Sequence, residues 1–176
     1  MGAHRRKKGR VGKNMFPEVA YDRGEVVYLF SGVAGLPFSL DIDSELTEKD
    51  GAMAGVAGIL DEAEAFAAAA RDCLRAALEN EEDEWHETVS FFMRFHLEEL
   101  EMEEAQICFG TEDPGALSAR EMVDALTFLR FGVFWNAEEE RPGLLLDLGF
   151  SRDITDEVLA VTMDCEKRVM NVAHES

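Results

Sequence analysis

Few of the features by which a sequence declares its chemistry are present in this one. Its three cysteines, Cys73, Cys108 and Cys165, are far apart and outside any C-x-x-C pattern. That number and spacing exclude a disulfide framework and point to a reducing compartment, so a cytoplasmic location is expected. No apolar run approaches the ~18 residues of a membrane helix, and no apolar stretch of a secretory leader follows the basic amino terminus. Positive charge is scarce: 17 lysines and arginines stand against 37 acidic residues, and six of the 17 fall within residues 1–13, which hold no acid. Taking six from 17 leaves 11 cations in the rest of the chain, a net charge of −26. A body so charged excludes nucleic acid and anionic membrane as its partners, and it attracts a basic protein most strongly at low salt. The same acidity also serves solubility.

What is present suits a globular fold. Hydrophobic residues make up 47% of the 176 and charged residues 31%, and a chain of this length buries a core without disulfide, metal or cofactor. Residues 1–14 stand apart: Arg5, Arg6, Lys7, Lys8, Arg10 and Lys13 occur among almost no apolar residues, so this basic tail is expected to be disordered and residues 15–176 to form a single domain. Translation starting at Met15, or an artificial extension, accounts for the tail better than nucleic-acid binding does. The tail has no aromatics to stack on bases.

Along the chain the period of the apolar pattern changes twice. Glu25–Phe30 reads as a strand on its β-branched and aromatic content, and Leu36, Phe38, Leu40 and Ile42 alternate with polar or turn residues as a half-buried partner strand. From Met53 the spacing lengthens: Val56, Leu60, Ala63, Ala67, Ala70, Leu74 and Ala77 share one helical face. After the polar stretch Glu79–Asp83, a second helix carries Trp85, Val89, Phe92, His96, Leu100 and Ile107, which makes an antiparallel hairpin with the first. Ser118-Ala-Arg-Glu121 is a capping box that opens a short third helix through Leu129. Strands are then expected over 131–135, 144–148, 158–163 and 168–172, separated by turn residues. The fold class is α+β: an antiparallel sheet of N-terminal and C-terminal strands, with the helical hairpin and the short helix packed on one face.

No nucleotide or nucleophile motif survives inspection. Gly51–Gly58 opens a helix but lacks the Gly-Lys-Ser/Thr of a phosphate loop and the G-x-G-x-x-G of a dinucleotide fold. Ser31 follows a strand without the G-x-S-x-G context of a hydrolase. The histidines offer an enzymatic alternative. His86 has Glu82 one turn before it, two metal ligands where more are needed, so no metal is assigned. His96 lies about 1100° of helical rotation beyond Trp85, within ~20° of the same stripe, which predicts a ring at least partly buried, as a core histidine satisfied by a backbone group. With Glu99 one turn on, it forms an alternative polar site for a general base in a small hydrolase or metal-dependent enzyme. For binding, Trp135 and Asn136 at a strand end beside Glu138 and Glu139 form the candidate partner site, because aromatic anchors concentrate interface energy; a cap on the core suits the tryptophan equally.

The segments Phe95-His-Leu-Glu-Glu-Leu100, Thr155-Asp-Glu-Val-Leu-Ala-Val161 and His174-Glu-Ser176 resemble an uncharacterised bacterial family, catalogued as domain of unknown function number two thousand and four, from about Phe16 to the end. The resemblance implies a small bacterial domain beginning near Met15, and carries over no activity or catalytic residue. The functional expectation is therefore an acidic binding module for a basic protein, of a regulatory or toxin-immunity kind. Homo-oligomerisation through a strand edge is compatible with it.

Overall fold

The computed structural model describes residues 7–10 and 18–176. The basic tail thus lies outside the described residues except for β1 (Lys7–Arg10), which pairs antiparallel with β2 (Glu18–Tyr21) in a two-stranded ribbon. The main sheet has six strands in the order β3 (Val27–Leu29), β4 (Ser39–Ile42), β5 (Thr127–Asn136), β6 (Arg141–Gly149), β7 (Val158–Met163) and β8 (Val169–Glu175). Six helices fill the chain between β4 and β5: α1 (Ser44–Glu48), α2 (Ala52–Asp61), α3 (Ala63–Glu79), α4 (His86–Glu98), α5 (Met102–Phe109) and α6 (Ala119–Asp124).

The fold is α+β with a mostly antiparallel sheet. One pair, β4–β5, is however parallel, with Leu40 opposite Phe131 and Ile42 opposite Val133, which corrects the expectation of a wholly antiparallel sheet. A hairpin can join only antiparallel neighbours. An excursion of six helices brings the chain back to run alongside β4 in the same direction, as a crossover connection does.

Two helices expected to be continuous are broken. The stripe from Met53 to Ala77 is interrupted at Glu62, and α4 and α5 are separated around Glu99–Glu101, where Glu101 and Glu104 form a capping box that restarts the chain. Leu60 and Ala63, on either side of the first break, are both fully buried. Their spacing of three is as good across a bend as within a helix, so periodicity hides the break. The third helix is shorter than expected: it ends at Asp124, and Leu129 belongs to β5, at an irregularity of register between Phe128 and Arg130.

The core lies between the helices and one face of the sheet. Leu40, Ile42, Phe131, Val133, Leu144, Leu146, Leu159, Val161 and Val172 alternate along the strands and are buried. Phe66 of α3 meets Phe131 with ring centroids 6.1 Å apart, while Phe38 meets Phe128 at 4.4 Å. Helices α1, α2 and α4 lie against β5, β6 and the β7–β8 pair respectively. The intervening residues, among them Tyr28, Asp41, Gly132, Leu145 and Thr162 in one cross-strand row, point to the other face.

Candidate binding face on the sheet

That other face is where unpartnered apolar surface concentrates. Of the eight large apolar side chains exposed among the described residues, three, Val26, Tyr28 and Phe30, lie together at β3. Val26, Tyr28 and Phe30 are 57%, 48% and 65% exposed, whereas Val27 between them is buried in the core. Strand geometry produces this split, since successive side chains leave a strand on opposite faces. The Tyr28 and Phe30 rings meet edge to face at 4.9 Å, so they stand as one aromatic ridge along the edge of the sheet.

Beside the ridge is a cavity of about 310 Å³, with Val26, Phe134 and Leu145 as apolar walls and Asp41, Asp43 and Arg130 as its charged groups. Gly132 contributes backbone only and leaves the space open. Gly143 on β6 lets the Phe134 ring lie flat across it: a Cβ there would come within 2.5 Å of the ring. Asp43 is held in place as the cap of α1, its Oδ1 accepting from the Glu45 amide at 3.3 Å and from the Ser44 hydroxyl at 3.2 Å. Arg130 is drawn to the far side, where its Nε lies 2.8 Å from the buried Asp147 carboxylate; its Nη1 is 3.7 Å from Asp41. Arg152, 3.9 Å from Asp147, completes the network. Arg130 is thus committed mainly to Asp147, and Asp41 and Asp43 bring more negative charge to the cavity than one arginine cancels.

The partner-site residues of the sequence analysis lie close by, with other tasks. Trp135 is one position past Phe134 and therefore faces the opposite way: it packs against the core, with the Lys49 ammonium 4.4 Å above its ring. Asn136 shapes the β5–β6 turn, its Oδ1 accepting from the amides of Glu138 and Glu139. Glu139 is paired with Arg141, which also holds Glu166 at 2.6 Å. Glu138 is exposed at the turn. The aromatic that faces the cavity is Phe134, and Val26, Tyr28, Phe30, Asp41 and Asp43 join it. The run Glu25-Val-Val-Tyr-Leu-Phe30 shows no apolar/polar alternation that would reveal its exposed side.

The histidine sites resolve into packing. His96 is fully buried; its Nδ1–H donates to the Phe92 carbonyl at 2.8 Å, and Nε2 has no partner among the described residues. Its ring contacts Phe92 at 4.4 Å, Phe150 at 4.8 Å and Phe95 at 5.2 Å. Burial lowers the pKa of His96, against the opposing pull of the Phe92 carbonyl. Glu99 is exposed at the end of α4 and does not join the ring. The carboxylate that acts on His96 electrostatically is that of Glu157, which is paired with His174. His86 ties the hairpin together: Nδ1–H donates to the Ala77 carbonyl at 2.9 Å, and Nε2 accepts from the Ser90 hydroxyl at 3.2 Å. Among the described residues no three His, Cys, Asp or Glu side chains are grouped to hold a metal, and no helix is long and apolar enough to cross a membrane.

Comparison with protein-family models, with curated proteins and with solved structures returns no match to this chain. The family resemblance rests on Phe95–Leu100, Thr155–Val161 and His174–Ser176.

Proposed function

We propose that this protein is an acidic binding module whose partner is a basic protein, and that the partner docks on the face of the sheet opposite the core. The observation that carries this reading is the pairing of an exposed apolar ridge, Val26, Tyr28 and Phe30, with a cavity that holds Asp41 and Asp43. Apolar contact supplies affinity, and the carboxylates select a cation. The net charge of −26 outside residues 1–13 adds long-range attraction for the same class of partner. A module that covers and neutralises a basic protein suits a regulatory or toxin-immunity role.

Titration calorimetry with an arginine nonapeptide, on the native protein and on an Asp41→Asn/Asp43→Asn variant, tests this reading. Asparagine keeps the cap of α1, so the variant folds and loses only charge. The expected result is binding that weakens as salt rises and that falls about tenfold in the variant, or ~1.4 kcal/mol. Diffuse attraction to the whole body would barely register two charges, so equal affinities would refute the docking face.

A further inference from the structure

Among the described residues no strand pairs with the outer side of β3. Among those residues β3 pairs with β4 alone, along Val27 to Leu29, so half of its backbone N–H and C=O groups point away from the sheet. Proteins ordinarily blunt such an edge by shortness, charge, proline or a covering element, and β3, three residues long, has the first of these. The opposite edge, β8, follows that rule in part, because Asn171 and Glu175 are exposed beside Met170. On β3 the exposed position is Tyr28, and Val26 and Phe30 flank the strand exposed as well.

We infer that the partner binds by strand addition: an extended segment of it pairs with the free edge of β3, and an arginine or lysine of that segment reaches across the face to Asp41 and Asp43. This rests on the basic-partner reading above and specifies its mode. Strands are spaced about 4.8 Å apart, so an added strand runs about 10 Å from β4. An extended arginine and a carboxylate span that distance between them. On the way the stem of the side chain lies over Val26 and Tyr28, and the cation passes the face of the tyrosine ring. Residues on the alternate side of the added strand lie next to the core-facing Val27 and Leu29 and must be apolar. The segment recognised is therefore one in which cationic and apolar residues alternate, a pattern distinct from a run of cations.

The test uses the unmodified protein and four synthetic peptides: alternating Arg-Val, the same composition in two blocks, and the alternating peptide with its amides N-methylated at either the odd or the even residues. Alternate amides of a strand point to opposite edges, so one methylated peptide loses the hydrogen bonds to β3 and the other keeps them. Strand addition predicts that the alternating peptide binds at least tenfold more tightly than the block peptide, and that one methylated form loses at least tenfold while the other does not. If all four peptides bind alike at low salt, strand addition is overturned and the basic-partner reading survives. If none binds at low salt, both are overturned.

Discussion

Replacing His96 with leucine should leave the protein about as stable as before, although the residue is fully buried and hydrogen-bonded. Two effects oppose each other. Loss of the Nδ1–H bond to the Phe92 carbonyl costs about 1 kcal/mol, and that carbonyl keeps its place in the ladder of α4. Removing Nε2, which is buried without a partner among the described residues, returns on the order of 1–3 kcal/mol. The net at pH 8 is a change within about 1 kcal/mol, or a gain. Alanine lacks the bulk to fill the space among Phe92, Phe95 and Phe150, so His96→Ala should cost about 3 kcal/mol through the cavity it leaves. The pH dependence has a definite sign. Burial lowers the folded-state pKa of His96 below that of the unfolded chain, so the unfolded state binds more protons as pH falls below ~6.5. Stability is fully present above that pH and is lost as pH falls through the folded value, and the leucine variant lacks this loss. Urea unfolding at pH 8 and pH 5 should show the leucine variant gaining on the parent at the lower pH. A leucine variant that loses more than about 3 kcal/mol at pH 8 would refute the reasoning, because it would mean that Nε2 makes a strong bond.

Glu140 in the β5–β6 turn has φ of +52°, so Glu140→Gly should raise stability by up to about 1 kcal/mol, read as a higher urea midpoint; no change or a loss would count against strain there. Gly143→Ala drives a methyl into the Phe134 ring and should displace it from the cavity wall; arginine-peptide affinity should change severalfold and a crystal structure should show the ring moved. Asp164 is buried in the β7–β8 turn, where its burial is outweighed by hydrogen bonds from Arg168, backbone and side chain, that hold its pKa below the usual carboxylate range. Its stabilisation is present above the unfolded pKa and lost as pH falls through the folded one, so Asp164→Asn should destabilise at pH 7 and converge with the parent in acid. Sodium chloride should raise the melting temperature of the native protein, because it screens repulsion within a body of charge −26; a flat or falling trend from low to physiological salt would contradict this.

Much of the local structure is legible in the sequence, because period and composition act over a few neighbouring residues. Val158–Met163 is a strand with its expected bounds, the Ser118–Glu121 capping box opens α6 as read, and the helical stripe that predicts burial of His96 does bury it. The tertiary structure alone decides how distant segments meet. Ile42 and Val133 are neighbours in a parallel pair across 91 residues of chain, and no local pattern encodes that direction. Whether Phe134 or Trp135 faces the cavity depends on which side of β5 the helices cover. The same holds for the histidine cluster, where Glu157 comes to His96 from the start of β7 while Glu99, three residues away in sequence, turns to solvent. Asp41 and Asp43 read in sequence as the polar half of an alternating strand. They become a candidate cation site because an exposed β3 and the Gly132 gap stand on either side of them. Side-chain periodicity states which residues share a face, and only packing states which face is left open.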